Sequence, residues 1–381
     1  MFTDIKSAEL TDRQRFLNVM DYKSVDRIPN IEVGVWGQTI QRWENEGLDL
    51  SKVHFNWWIG ESNFSIDPRE YIPVNYQMSP FFEYELLEKT ERYEIFRDSL
   101  GVVHKALTEG TAYGTRMCMD QYISFPVEKP EDFKKIKKRY VASADRYPPD
   151  WESKIEYWKN CEVPLILAYN CQTLGYYWRM REWMGTEGLS YAWYDYPGLC
   201  HEMCEFITDF TIEVSKPILS RKIPVDYVMI NEDLSMKTGP LLSPGTYKKF
   251  IAPEMRRLVD FFKSNGVKYV FVDTDGNCEV LIKIFMECGV DGIWPLERVA
   301  EMDPVKIRKE YGRDLRLYGG VDKMRIALGR KEIDKHLAEL RPLIEEGGFI
   351  PTVDHTVSPE ISLEDFYYYI KRKNALLCGK F

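Results

Sequence analysis

Carboxylates follow five short apolar runs of this chain, and one of them has a histidine beside it. These side chains are Glu232 with Asp233, Asp273 with Asp275, Glu297, Asp322, and Asp354 with His355. Carboxylic acids and imidazoles are common proton donors and acceptors in catalysis. The pattern therefore predicts acid–base chemistry, provided that the runs bring their ends together.

The apolar runs that precede these residues have the length and composition of buried strands. Seven of them occur, at 28–35, 163–170, 225–233, 267–277, 289–297, 315–323 and 347–355. Continuous apolar runs are typical of parallel strands covered on both faces by helices, and barrels of such strands carry their reactive groups at the C-terminal mouth. From about residue 151 strands and helices alternate, which predicts a parallel sheet. An open, doubly wound sheet is the rival architecture, but no Gly-x-Gly-x-x-Gly or Gly-x-x-x-x-Gly-Lys loop follows any strand.

The segment between the first two runs has a different character. From about 36 to 150 it is rich in aromatic residues, interrupted by prolines, and alternates like a hairpin at 84–107. We interpret 1–381 as one domain in which 36–150 forms an N-terminal cap or insertion over the mouth and 151–381 supplies the main barrel.

Composition narrows the possible partners. The formal net charge is −9 and the sequence pI is about 5.4, which gives no general attraction to nucleic acid or to an anionic membrane. The sequence shows neither a signal peptide nor a membrane-spanning run, so we expect a cytoplasmic protein. Its oligomeric state stays open, a homodimer included.

The motif Cys200-His201-x-x-Cys204 lacks the second pair of ligands that a zinc site needs, and we interpret its cysteines as core-packing residues.

Several phrases together resemble the uroporphyrinogen decarboxylase superfamily, which includes cobalamin-dependent methyltransferases. They are DLSMKTGPLLSPGTYKKFIAPEMRRLVD, VDTDGN, GVDGIWPLE, GGVDK and GGFIPTVDHTVSPEISLEDF. The resemblance spans about residues 8–376 and is most specific in the last 150. It implies a (β/α)8 TIM barrel with its site at the strand ends.

The resemblance favours the methyltransferase branch over the decarboxylase branch. Members that decarboxylate porphyrinogens carry an arginine-rich segment near the N-terminus that binds the substrate carboxylates. The corresponding stretch here, NIEVGVWGQTIQRWENEGLDL, contains only Arg42 and is otherwise acidic. A polyanionic tetrapyrrole would be repelled.

The methyltransferase branch also implies a metal site with changed ligands. Its His-x-Cys-Gly-Asn motif aligns with Asp273-Thr274-Asp275-Gly276-Asn277, and its distant Cys four residues before a proline aligns with His355. Asp273, Asp275 and His355 could still bind zinc or another divalent ion. The alternative is that the metal was lost and these groups hydrogen-bond one another.

The remaining strand-end residues complete a polar site on this interpretation. One of the adjacent Glu232 and Asp233 should face the mouth while the other caps a loop, because neighbouring strand residues point to opposite sides. The expected catalytic set also contains Glu297, Lys323 and Asp354. Residues Tyr169, Asn170 and Trp294, at strand ends, are expected to bind substrate.

The leading functional hypothesis is methyl transfer from a small substrate, such as an aryl methyl ether undergoing O-demethylation, to a corrinoid. No cobalamin-binding Asp-x-His-x-x-Gly segment is present, so the cobalamin would arrive on a partner corrinoid protein. A metal-independent decarboxylase or lyase acting on a small carboxylated substrate is the first alternative. A non-catalytic ligand-binding barrel is the second alternative. The many ionisable strand-end residues argue against it, because burying an ionisable group that has neither a function nor a partner costs desolvation free energy.

Overall fold

The computed structural model describes residue 2, residues 10–168 and residues 174–381. The strands are β1 (Glu70–Ile72), β2 (Glu85–Lys89), β3 (Tyr93–Arg97), β4 (Val103–Leu107), β5 (Thr111–Ala112), β6 (Thr115–Arg116), β7 (Gln121–Ser124), β8 (Leu165–Leu167), β9 (Tyr227–Asn231), β10 (Ser235–Met236), β11 (Gly239–Pro240), β12 (Tyr269–Asp273), β13 (Gly292–Trp294), β14 (Arg316–Tyr318) and β15 (Phe349–Ile350). The helices are α1 (Asp12–Met20), α2 (Gly37–Asn45), α3 (Pro130–Lys137), α4 (Ile155–Lys159), α5 (Tyr177–Asp195), α6 (Pro197–Leu219), α7 (Pro244–Phe250), α8 (Ala252–Ser264), α9 (Glu279–Glu287), α10 (Pro304–Tyr311), α11 (Lys323–Ala327), α12 (Arg330–Glu346) and α13 (Leu363–Leu377).

A curled parallel sheet forms the centre of the molecule. Its strands follow the order β1-β8-β9-β12-β13-β14-β15, and every neighbouring pair is parallel. An extended segment at 28–35 lies between the two edges of this sheet. Asp67 N donates to Asn30 O before β1, and Val35 forms a parallel bridge with Val357 after β15. The predicted TIM-barrel architecture is confirmed.

Two details of the barrel differ from the sequence prediction. The predicted first strand at 28–35 is extended but joins the sheet through a bridge at Val35 rather than through a ladder. Strand β1 was not predicted, because its three residues lie between Pro68 and Pro73 and are too few to give a periodic signal. The range 36–150, which was predicted to lie outside the barrel, therefore contributes one strand, β1, to the parallel sheet.

Residues 36–150, which we expect to form a cap, contain an antiparallel sheet of order β2-β3-β4-β7. A small hairpin, β5–β6, reaches the start of α2. There Thr115 Oγ1 accepts a 3.0 Å hydrogen bond from Gly37 N, and a side chain at position 37 would collide with the backbone of Ala112. The glycine thus lets this hairpin approach α2 closely.

Packed side chains fill the barrel below its mouth. The ring of Phe271 lies 5.7 Å from that of Tyr227 and 6.3 Å from that of Tyr318, and Arg69 donates to the Tyr318 hydroxyl at 2.9 Å. All four side chains are buried. Groups that react with a substrate must therefore lie at the strand ends.

Helices α5 and α6 are the two longest described helices, and they pack against each other. Cys200 and Cys204 lie on the buried face of α6, where burial raises the pKa of both thiols, to about 12 for Cys200. High thiol pKa values suit the predicted core-packing role. No helix in the described part of the chain is both long and apolar enough to cross a membrane.

Candidate active site

Asp275 and His355 meet at the mouth of the barrel. Asp275 lies two residues beyond β12, His355 lies five residues beyond β15, and His355 Nε2 is 3.5 Å from Asp275 Oδ2. Their side chains are 30% exposed for His355 and 37% exposed for Asp275, so a small molecule can reach both. The sequence prediction that these two residues converge agrees with this geometry.

Asp275 holds its proton unusually well. Burial, together with the nearby carboxylates of Glu297 and Asp233, raises the pKa of its carboxyl group to about 7, against the opposing effect of Lys323 and Arg181. A carboxylic acid with a pKa near neutrality can donate a proton to a substrate and later recover it. Asp275 is therefore suited to general acid catalysis.

Burial and the positive charge of Lys323 lower the pKa of the His355 imidazole, against Glu297, Asp354 and Asp233, which raise it. This environment favours the neutral ring. Its Nδ1 lies 2.9 Å from Thr356 Oγ1, and the Trp294 ring centre lies 6.2 Å from the ring centre of His355. The Asp275–His355 pair thus joins a protonatable carboxyl group to a neutral imidazole.

Glu297 supports the loop that carries Asp275. Its Oε2 accepts a 2.9 Å hydrogen bond from Gly276 N, and its Oε1 lies 3.7 Å from Lys323 Nζ. Gly276 has a φ of 72°, and a Cβ there would approach the Ser235 carbonyl oxygen to 2.5 Å. The tight turn after β12 therefore requires glycine, and it places Asp275 beside the Glu297–Lys323 pair.

Asp354 links two loops through hydrogen bonds to their backbone amides. Its Oδ2 accepts from Arg298 N at 2.8 Å and its Oδ1 accepts from Lys323 N at 3.1 Å. The carboxyl group is fully buried, and burial raises its pKa to about 6. Because both oxygens bind backbone amides, the geometry gives this predicted catalytic residue a supporting position next to His355.

Glu232 and Asp233 directly follow β9 and have different partners. Glu232 is fully buried, accepts from Tyr177 N at 2.7 Å at the start of α5, and has a pKa raised by burial to about 8. Asp233, with a left-handed φ of 37°, pairs with Arg181 Nη2 at 2.5 Å. Asp233 therefore faces the mouth, and Glu232 anchors a helix.

The three predicted metal ligands are not assembled as a set. Asp275 faces His355, whereas Asp273 is the buried last residue of β12, and its backbone oxygen accepts from Glu232 N. Within residues 10–168 and 174–381, no three His, Cys, Asp or Glu side chains are grouped as a metal ion requires. The donor arrangement does not fit a three-ligand ion, so the chemistry below involves only the protein's own groups.

Of the predicted substrate-binding residues, Tyr169 and Asn170 lie outside the described residues. Trp294 ends β13 and is only 6% exposed, and its indole Nε1 has no hydrogen-bond partner among the described residues. A buried donor without a partner is costly. Trp294 therefore places a buried donor without a protein partner in the ring that neighbours His355.

Sequence reasoning missed three residues at the mouth. Arg181, on α5, pairs with Asp233 and covers the Trp178 ring at 4.5 Å. Thr356 and Trp36 follow His355 in a chain of hydrogen bonds. Arg181 lies within α5, 14 residues beyond the end of β8, and the contact between Trp36 and Thr356 joins residues 320 positions apart, so neither leaves a local pattern.

Comparison with known proteins gives a family match over most of the chain. The family described as uroporphyrinogen decarboxylase (URO-D) matches residues 98–374. A curated uroporphyrinogen decarboxylase from Myxococcus xanthus (strain DK1622) is 24% identical over 166 residues, which are 44% of this chain and 44% of that protein. This match thus spans less than half the length of that relative.

A solved structure shares the overall fold. It is described as a methyltransferase from Methanosarcina mazei, with a TM-score of 0.60 and 15% sequence identity. The superposition covers 95% of this chain and 98% of the other. This likeness shows that the two chains share a fold.

Proposed function

Because the chain belongs to the uroporphyrinogen decarboxylase family, we propose that it is a methyltransferase acting on a small methylated substrate, an aryl methyl ether. The methyl acceptor is a corrinoid carried by a partner protein, whose cobalt supplies the nucleophile. The fold shared with a methyltransferase supports the reaction class. The acidic stretch around Arg42, where porphyrinogen decarboxylases have arginines, argues against a tetrapyrrole substrate.

The observation that carries this proposal is the contact between Asp275 and His355 at the mouth. An ether oxygen is a poor leaving group unless it is protonated or polarised as its bond to carbon breaks. Asp275, with its pKa raised to about 7 by burial and neighbouring carboxylates, donates that proton. The carbon–oxygen bond breaks, the electron pair stays on oxygen, and the substrate leaves as a phenol while the methyl group passes to the acceptor.

Residues around the pair bind the substrate and control charge. The Trp294 indole donates to a substrate oxygen and forms an apolar wall beside the His355 ring. Lys323, 3.7 Å from Glu297, offsets the negative charge that appears on Asp275 after proton transfer. Asp233 is neutralised by Arg181 and bounds the site on the α5 side.

The same groups also favour one alternative, a decarboxylase or lyase. Lys323 is a cation at the mouth that could bind a substrate carboxylate, and Asp275 could protonate the carbon left after loss of carbon dioxide. The named curated relative is a decarboxylase. This reaction would need neither a corrinoid nor a partner protein.

One mixing experiment separates the two reactions. Purified protein is incubated with cob(I)alamin and a panel of aryl methyl ethers, and visible absorption is followed for formation of methylcob(III)alamin, with phenol release measured in parallel. We expect methylation of cobalt that depends on the ether. Carbon dioxide release from small carboxylic acids, without cobalt methylation from any ether, would instead support the lyase.

A further inference from the structure

Three neighbouring strands of the barrel end in polar side chains at the same level. Asn231 ends β9, Asp273 ends β12 and Trp294 ends β13. The register pairs Asp273 with Asn231 on one side and with Trp294 on the other. Residues paired across parallel strands point to the same face of the sheet. The three side chains therefore form one row on one face.

That face is the interior of the barrel. The Phe271 ring lies inside the barrel against Tyr227 and Tyr318. A Cβ at Gly292 would approach the same ring to 2.5 Å. Phe271 and Gly292 each lie two residues before a member of the row, and strand side chains repeat their direction every two residues. The row is therefore the layer directly above the packed interior, at the floor of the mouth.

Two members of this row carry polar groups that have no protein partner among the described residues. Asn231 is only 5% exposed, and its amide oxygen is buried without a hydrogen bond. The same is true of the indole Nε1 of Trp294. A buried polar group that is left unpaired is costly. A ligand that forms both missing hydrogen bonds would remove this cost.

The two groups require different partners on a ligand. An indole N–H only donates, so it suits an oxygen that only accepts, such as an ether oxygen. A carboxamide has an accepting oxygen and a donating nitrogen, and a hydroxyl group can pair with either, because it both donates and accepts. Trp294 is the member of the row beside His355, so the ether oxygen lies at the reactive end. Asn231 lies two strands away, about 10 Å at the usual strand spacing, which a ring with two oxygen substituents and their hydrogen bonds can span.

We propose that Asn231 is a specificity-determining residue that binds a hydroxyl group of the substrate, while Trp294 donates to the oxygen that carries the methyl group. The preferred substrate is then an aryl methyl ether with a free hydroxyl group on its ring. The identity of the ligand as an ether rests on the proposed function, whereas hydroxyl binding by Asn231 rests on the row of strand ends.

Binding can be measured without a corrinoid, so that no methyl transfer takes place. Isothermal titration calorimetry compares methoxybenzene with the ortho, meta and para isomers of methoxyphenol, each of which differs from it by one hydroxyl group. We expect at least one isomer to bind at least about tenfold more tightly, because a site that hydrogen-bonds a hydroxyl group rejects a ligand without it. Equal binding of all four compounds, or binding of none, would overturn the inference.

Two variants assign the two contacts. Asn231→Leu removes the amide at similar size, and it should abolish the advantage of the hydroxyl group without changing the affinity for methoxybenzene. Trp294→Phe is the matched control in the same row, and it should weaken all four compounds by a similar factor and keep that advantage. Circular dichroism and thermal unfolding check folding, and Asn231→Ala replaces the leucine variant if the latter does not fold. A hydroxyl advantage that persists without the amide would show that Asn231 does not bind this group.

The outcomes separate this inference from the proposed function. If the hydroxyl advantage depends on Asn231 but no ether methylates cobalt, Asn231 keeps its role and the methyltransferase proposal fails. If cobalt is methylated, kcat/KM should be at least about tenfold higher for the preferred methoxyphenol than for methoxybenzene, and Asn231→Leu should remove this difference. Equal kcat/KM values in the wild type would overturn the role of Asn231 and leave methyl transfer in place.

Discussion

At the scale of single residues, Asp275 has the environment that best explains a reaction. Three carboxylates, Asp233, Asp275 and Glu297, influence one another at the mouth, and Lys323 and Arg181 supply the compensating charge. Glu297 lies 3.7 Å from the ammonium group of Lys323, and Asp233 lies 2.5 Å from the guanidinium group of Arg181. Burial is the largest cause of the raised pKa of Asp275, and the charges of Glu297 and Asp233 outweigh those of Lys323 and Arg181, so its proton is retained up to about neutral pH.

Replacing Asp275 by asparagine should abolish most of the methyl transfer. The amide keeps the size of the side chain but has no acidic proton, so kcat should fall by about 10² to 10⁴-fold. The assay is cobalt methylation followed by visible absorption. Asp195→Asn, a matched change at an exposed position at the end of α5, should leave the rate unchanged. Equal rates for Asp275→Asn and wild type would rule out Asp275 as the proton donor.

The rate should also depend on pH with a defined sign. Asp275 donates only while protonated, and its pKa is raised to about 7, so the rate should be highest below pH 7 and fall as pH rises through that value. A pH profile of kcat for ether-dependent cobalt methylation measures this. A rate that rises with pH over the same interval would indicate that Asp275 acts as a base.

At the scale of elements, the turn after β12 determines where Asp275 lies. Gly276→Ala should destabilise the protein by about 1–3 kcal/mol, because a left-handed φ of 72° is combined with a Cβ clash against the Ser235 backbone. Denaturant unfolding measures the loss. Gly266→Ala is the matched control, since its φ is 91° but nothing lies within 4 Å of its added Cβ. Equal losses for the two variants would mean that the contact with Ser235 contributes nothing.

The junction between β9 and α5 should make stability depend on pH. The pKa of buried Glu232 is about 8 in the folded protein against 4.5 ordinarily, so the folded state binds the extra proton between these values. Stability from this group is therefore lost as pH rises through that window. Thermal unfolding of Glu232→Gln, which cannot ionise, should vary less between pH 5 and pH 9 than that of wild type. A constant difference between the two proteins would show that Glu232 does not titrate there.

Strands and strand ends were predictable because buried parallel strands have a continuous apolar signature. Six of the seven predicted runs contain a strand of the sheet, and the polar residues after them do collect at the mouth. The orientation of Glu232 and Asp233 was not predictable, since it depends on the left-handed backbone at Asp233. Strand β1 was missed because three residues between prolines carry no periodicity.

In the molecule as a whole, buried contacts that stabilise the loops lie beneath the barrel mouth, and the groups that we expect to react lie at the mouth. Beneath the mouth, Lys373 and Glu32 form a fully buried ion pair at 2.6 Å, and Glu32 also accepts from Val353 N at 2.8 Å. Val353 leads directly into Asp354 and His355, so the buried pair holds the start of the loop that carries His355. The β5–β6 hairpin makes a further contact through Thr115 with Gly37, next to Trp36.

At the level of the whole protein, we expect the rate of methyl transfer to be insensitive to removal of metal ions. Since Asp273 is buried in β12 and the described residues offer no three-ligand group, proton donation by Asp275 should proceed unaided. Elemental analysis of the purified protein and assay after dialysis against a chelator should find the rate of ether-dependent cobalt methylation unchanged. Asp273→Asn should likewise retain activity if it folds, whereas Asp275→Asn should not. Loss of activity on chelation, with recovery on adding zinc, would contradict a metal-independent proton transfer and return Asp275 and His355 to the role of ligands.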